Sequence, residues 1–158
     1  MLQRYKLYAL ALSEIRLFGS GSVSVGDDFT LVYAGGPGDG SLGGVAWLLS
    51  PGASEAWRRA GCCAHHSPTG RILRITLALH GNEGVWHLFS VYGPTFQATQ
   101  LDKTRFWREL GRSWNHIPSR DIAYILGDFN SRVGSRQQPG YPHEVLGLHC
   151  VGPPQWQW

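Results

Sequence analysis

The chain is poor in charge and in sulfur: 16% of its 158 residues are charged, and it carries three cysteines and one methionine. Three cysteines do not pair completely, and Cys62 and Cys63 are neighbours, which is a poor disulfide framework. Free thiols and an intracellular setting, nuclear or cytoplasmic, are therefore expected. Met1 to Leu12 is apolar only in places, without a long apolar stretch and a small-residue cleavage site, so no secretion signal or membrane span is expected. No tandem repeat is visible, which removes the solenoid classes. Gly35 to Gly44 (GGPGDGSLGG) is followed by no Gly-Lys-Ser/Thr, so it reads as a hairpin connection and not a nucleotide-binding loop. Ser20, Ser22 and Ser24 lie near no GxSxG elbow, which leaves serine-hydrolase chemistry without support. Cys62, Cys63, His65 and His66 are zinc-capable, yet adjacent pairs lack the two-to-four-residue separation of a ligand pair, and a loop or strand edge is the expectation there.

What is present has the length and composition of one domain with a sizeable core, 42% of residues being hydrophobic. The formal charge of +3 and pI near 8.9 suit a polyanionic partner without singling one out. Leu7 to Leu12 (LYALAL) reads as a buried strand that delivers Glu14 to the surface at its carboxyl end. Further strands are expected at Phe29 to Tyr33, Val45 to Leu49, Ile72 to Leu79, Val85 to Tyr92 and Ile122 to Leu126. Thr99 stands three residues before Asp102, a helix-capping spacing, and Phe106, Trp107, Leu110 and Trp114 fall on one helical stripe that Pro118 stops. Strands dominate the first two thirds and a strand, helix, strand succession closes the pattern, so an α/β layered sandwich is the expected class.

The chemistry concentrates at ILGDFN. Side chains alternate along an extended backbone, so Asp128 and Asn130 would share one face while Phe129 enters the core. A carboxylate beside a neutral amide can orient a water and a phosphate oxygen without the repulsion of two ionised acids. Taken alone, Gly-Asp-Phe-Asn is equally the composition of an ordinary turn.

ILGDFNSRVG closely resembles the signature strand of the endonuclease/exonuclease/phosphatase family, above all the apurinic-like endonuclease domains of non-LTR retrotransposons. YALALSEIRLFGSG resembles the family's earlier strand ending in a metal-binding glutamate, and FSVYGPT resembles its strand ending in a tyrosine and a proline turn. GGVAWLLSP is similar to a second-sheet strand. The resemblance implies a four-layer α-β-β-α sandwich and hydrolysis of phosphate esters with Mg²⁺ or Mn²⁺. It implies further that Glu14 holds the metal, Asp128 orients the attacking water, Asn130 holds a phosphate oxygen or the metal shell, and Tyr92 steadies developing charge. Arg16 and Arg132 would meet the backbone of DNA, the partner the resemblance implies.

The family pattern begins with an asparagine-bearing strand and ends with a serine, aspartate, histidine motif, and neither has a counterpart here. His143 and His149 lie in HEVLGLHC, which resembles a loop soon after the GDFN strand, so neither is expected to replace the catalytic histidine. The expectation is an incomplete domain over residues 1–147, with a Pro-rich and aromatic tail at 148–158. Unpaired edges with apolar faces should follow in both sheets. An endonuclease acting on DNA is the leading reading. A catalytically inactive remnant with weak nucleic-acid binding and a phosphatase of the same superfamily are its rivals, and composition sets no oligomeric state.

Overall fold

The computed structural model describes residues 6–26, 28–36, 43–79 and 84–131. The expected boundary at residue 147, the tail 148–158, Arg132, His143 and His149 lie outside the described residues.

The first sheet has the order β1-β4-β3-β2, with β1 (Ala9–Ser13), β2 (Ser20–Val25), β3 (Phe29–Ala34) and β4 (Val45–Leu49), all antiparallel. Register puts Ala11, Trp47, Val32 and Ser22 in one row across the four strands. The row's apolar members face the second sheet, where Trp47 and Val32 join the core. The central strand β4 is apolar at every position (VAWLL), as a strand between two neighbours and beneath a second layer requires. β2, by contrast, alternates Ser and Val, is exposed throughout, and forms the polar edge.

A helix, α1 (Pro51–Arg59), follows β4 directly. Ser50 caps it by accepting from the Ala53 N–H, and Pro51 occupies the first turn, where a missing N–H costs nothing. Ala53, Ala56 and Trp57 enter the core between the sheets, and Trp57 Nε1 donates to the Cys63 carbonyl at 3.1 Å. The second sheet has the order β5-β6-β7-β8, with β5 (Ala64–His66), β6 (Ile72–Ala78), β7 (Val85–Tyr92) and β8 (Ile122–Asp128). β5, β6 and β7 are antiparallel neighbours, whereas β7 and β8 run parallel and are joined by α2 (Gln100–Asn115). A parallel pair needs such a crossover.

Two cores result. Val32, Trp47, Leu49, Leu73, Ile75, Leu77 and Leu88 fill the space between the sheets, and Ile72, Phe89, Val91, Phe106 and Leu110 fill that between the second sheet and α2. Thr99 caps α2, accepting from the Asp102 N–H at 3.1 Å, as the spacing predicts. The helical stripe is narrower than expected. Phe106 and Leu110 are buried, but Trp107 and Trp114 are each 44% exposed and lie along the helix flanks, Trp107 stacked on Phe129 and Trp114 beside Phe89. A helix lying on one twisted sheet buries a stripe about two residues wide, and the bulky indoles flank it.

Two sheets and one helical layer of the α/β sandwich are thus present. Among the described residues no helix covers the outer face of the first sheet, where Val23 and Val25 are exposed. β1 and β8 are the edges nearest the chemistry. On β8, Ile122, Tyr124 and Leu126 all exceed 40% exposure on the face turned towards the first sheet, which matches the expected apolar edge. No described helix is long and apolar enough to cross a membrane.

The two faces of the second sheet predict a contrast in urea denaturation. Phe89→Ala removes a fully buried ring and should cost about 3–5 kcal/mol. Tyr124→Ala should cost only about 0.5 kcal/mol, as at an open surface. Equal losses would show that another surface covers β8 in solution.

Candidate active site

β1 ends at Ser13, and the chain turns sharply. Glu14 has φ +55° and Arg16 φ +52°, left-handed backbone that non-glycine residues adopt at a cost of about 1–2 kcal/mol. The turn brings the Glu14 carboxylate over the end of β7. There the Tyr92 hydroxyl donates to Glu14 Oε1 at 2.7 Å, a bond between residues 78 apart in sequence. Two residues earlier on the same face of β7, the fully buried Ser90 hydroxyl donates to the Leu12 carbonyl at 3.1 Å. These paired bonds hold β1 and β7 in register across the two sheets.

The third strand arrives through two glycines. Gly127 in β8 has φ +140°, and a Cβ there would run into the Val91 carbonyl; a Cβ on Gly93 would run into the backbone of Phe129. Both positions demand glycine, and their closeness lets the Gly93 N–H donate to the Asp128 carbonyl at 2.7 Å. Asn130 Nδ2 donates to the Gly93 carbonyl at 2.9 Å, and its backbone N–H donates to Asp128 Oδ1 at 2.8 Å. Asp128 and Asn130 are therefore coupled, but not by alternation along an extended strand. β8 stops at Asp128, and Asn130, at φ +48°, turns back in an Asx-type turn. Phe129 packs against the α2 core.

Arg71 was not evident in the sequence. Its Nη1 donates to the carbonyls of Tyr92 and Gly93, both at 3.2 Å, and its guanidinium lies 5.1 Å from the Tyr92 ring centroid. It positions the tyrosine from behind and adds positive potential. The Tyr92 pKa lies above the ordinary phenol range, raised first by the bond to Glu14 and then by burial, with the Asn130 side-chain hydrogen bond pulling the other way. Tyr92 is consequently a neutral O–H donor at physiological pH, positioned between the carboxylate and the amide.

Of the expected site residues, the structure brings Glu14, Tyr92, Asp128 and Asn130 together at one end of the sandwich. Arg16 lies exposed on the same turn as Glu14 and makes no hydrogen bond or ion pair among the described residues. Arg132 lies outside the described residues. No group of three or more His, Cys, Asp or Glu side chains converges as a metal cage among the described residues. The donor chemistry is instead that of a site with one or two carboxylates, as Mg²⁺ takes when it keeps several waters and shares a substrate phosphate. Cys62 and Cys63 are free and exposed, and His65 and His66 lie on the short edge strand β5.

Comparison with known proteins gives the same architecture. The chain resembles the crystal structure of the AP endonuclease LMAP from Leishmania major with a TM-score of 0.56 at 13% identity, over 80% of this chain and 47% of that one. The fold is that of an AP endonuclease. In sequence it is 28% identical over 141 residues to craniofacial development protein 2 of Bos taurus, covering 88% of this chain and 22% of that protein. The same protein of Tragulus javanicus matches at 28% over 141 residues and 23% of its length. The chain thus spans about a fifth of the curated relatives it matches. No protein-family model matches it.

The Tyr92–Glu14 pair is open to direct titration with ¹³C-labelled tyrosine. Tyr92 should titrate above the ordinary value of about 10, and Glu14→Gly, which removes the carboxylate and accepts the left-handed backbone, should move it down. Because the folded pKa is the raised one, the bond contributes its full stability below that ordinary value and loses it as pH rises through the raised one. A Tyr92 titration unmoved by Glu14→Gly would mean that the pair does not form in solution.

Proposed function

We propose that this chain is part of a divalent-metal-dependent phosphodiester hydrolase, an endonuclease-like domain of retroelement origin that acts on DNA. The observation that carries the proposal is the inter-sheet Tyr92–Glu14 hydrogen bond with Asp128 and Asn130 coupled beside it through Gly93. The AP endonuclease fold supports the hydrolase class, and the resemblance of ILGDFNSRVG to retrotransposon endonucleases supports the origin. Residues 1–147 are proposed as the domain portion and 148–158 as a tail.

Each residue then has a task that its surroundings permit. Glu14, exposed and held by one bond from Tyr92, retains a free carboxylate oxygen and would hold Mg²⁺ or Mn²⁺ together with water and substrate phosphate. When bound, the ion supplies charge neutralisation on the phosphate and lowers the cost of activating water. Asp128 lies exposed at the strand end and accepts the proton of, or orients, the attacking water. The Tyr92 O–H, which donates to Glu14 here, and the Asn130 amide, which donates to the Gly93 carbonyl, would turn towards the phosphate once metal and substrate occupy the site. As neutral donors they would then favour the transition state, where negative charge grows on the phosphate oxygens. Arg71, behind Tyr92, keeps this donor in place and adds attraction for a polyanion. Arg16 and Arg132 are proposed contacts to the phosphate backbone.

The rival reading is a remnant that binds nucleic acid without turnover, to which the formal charge of +3 is equally suited. Nicking of supercoiled plasmid by the purified chain distinguishes the two. Mg²⁺-dependent nicking, abolished by EDTA and reduced by roughly 10²–10⁴-fold in Glu14→Gln and Asp128→Ala, is the expected outcome. A folded chain that never nicks, or nicking that both variants retain, would leave the hydrolase reading without support; salt-sensitive DNA binding alone would establish the remnant.

A further inference from the structure

The opposite face of the second sheet holds a second polar site. β5, β6 and α2 enclose a cleft of about 400 Å³ lined by His65, His66, Arg74, Arg112 and His116, with Glu109 as its one acidic side chain. Glu109 is already engaged, accepting from Arg105 Nε at 2.9 Å. Arg74 sits on β6 with only 9% of its surface exposed. Its Nη1 donates to the Ser113 carbonyl at 2.8 Å, but its Nε is buried with no hydrogen-bond partner, and no described carboxylate pairs with it. Leaving a buried guanidinium donor unsatisfied is costly, and an anion or a water drawn to Arg74 would offset that cost.

The surrounding groups agree in sign. His66 and His116 each commit Nδ1–H to a backbone carbonyl, of Ser67 and Arg112 respectively, which leaves Nε2 of each ring without a hydrogen-bond partner among the described residues. His87, behind the cleft on β7, is balanced by Asp121 at 3.0 Å, whereas Arg74, Arg112 and the three cleft histidines are paired with no acid among the described residues. The His65 pKa is lowered, first by burial and then by neighbouring positive charge, that of Arg74 foremost.

We propose that this cleft is an anion site for a tetrahedral oxyanion, a phosphate group, held by Arg74 and Arg112 with the three histidines. Guanidinium groups suit the bidentate geometry of phosphate oxygens. Such a group has two sources, a free phosphoester or the phosphate of a nucleic-acid backbone running behind the proposed active site. Binding here needs no metal, so its failure is separable from that of the hydrolase reading.

The test uses the full chain in EDTA with sulfate, whose charge is constant over the pH range of histidine. Sulfate should shift the ring resonances of His65 and His116 with a Kd of about 1 mM. It should raise Tm by roughly 4 °C at 20 mM. Because the lowered His65 pKa makes the unfolded chain bind more protons, stability should fall as pH drops below about 6.5; sulfate should restore it. Arg74→Met should lose all three responses, and Arg112→Gln/His116→Gln, at the helix end, should lose them if Arg74→Met does not fold. Two further arms identify the source. Duplex DNA binding whose salt dependence is shallower in the double variant assigns the site to the nucleic-acid backbone; unchanged DNA binding with lost binding of a nucleoside monophosphate assigns it to a free phosphoester. Wild-type protein whose histidines and Tm ignore sulfate, or folded variants that respond as the wild type does, would overturn the proposal.

Discussion

The two bonds that β7 sends across the sandwich, Ser90 to Leu12 and Tyr92 to Glu14, are the constraint on which the proposed active site rests. Two sheets packed through apolar side chains are held apart at a set distance but are free to slide, because hydrophobic contact has little direction. Hydrogen bonds have direction. Ser90, fully buried, offers a donor that would be expensive to leave unmade, and it finds its acceptor only when β1 stands in one register opposite β7. Tyr92, two residues along on the same face, inherits that register and meets Glu14. The carboxylate is thereby placed by the fold and not by the loop that carries it.

The surrounding backbone is arranged at a cost. Glu14, Arg16 and Asn130 all have positive φ, and each would be easier as glycine. At Gly93 and Gly127 the reverse holds, since a side chain would force apart the loops that bring Asp128 to Tyr92. Strained non-glycine residues beside obligatory glycines mark a place where side-chain identity outweighed local ease. The stability that tolerates this comes from elsewhere, from Trp47, Leu49, Ile75 and Leu77 fully buried between the sheets and from the α2 layer.

Much of this was legible before any coordinates. VAWLL and VWHLFSVY are strands because short apolar runs with β-branched and aromatic members favour that state, and Thr99 and Pro118 bracket the helix; LYALAL, whose Leu and Ala suit a helix as well, is strand only from Ala9, where it pairs with β4. Glu14, Tyr92, Asp128 and Asn130 were singled out by the resemblance of their segments to endonuclease/exonuclease/phosphatase motifs, because a polar residue at or near a strand end reads by itself equally as an ordinary turn. β2 escaped notice, since SGSVSV is an exposed edge whose Ser and Gly give no apolar signal, and its strand state comes from pairing with β3. α1 was hidden by Pro51 and Gly52, although the Ser50-Pro51 start is itself a helix signal. Arg71 had no local signature at all, because its role depends on carbonyls 21 and 22 residues away. The turn at Asn130 was legible only in part: Gly-Asp-Phe-Asn has the composition of a turn, but an alternating pattern does not report that the strand stops at Asp128.

The second sheet has consequently two chemically different faces that share one strand pair. Towards the first sheet, Ser90 and Tyr92 organise a carboxylate and neutral donors; towards α2, Arg74 on β6 faces helix-end carbonyls and histidines with little acid to balance them. Alternation along a strand makes this separation automatic, since neighbouring residues on β6 and β7 point to opposite sides. A substitution on one face leaves the other face's side chains in place, provided the strand itself stays paired. The edge strand β8 is where that proviso is weakest: it holds Asp128, yet among the described residues it is paired on one side only, and it exposes Ile122, Tyr124 and Leu126. The position of Asp128 therefore depends on the tight approach of Gly127 to Val91 and of Gly93 to Phe129 as well as on its pairing with β7, and the geometry of the proposed site is sensitive to whatever covers or leaves open the face of β8.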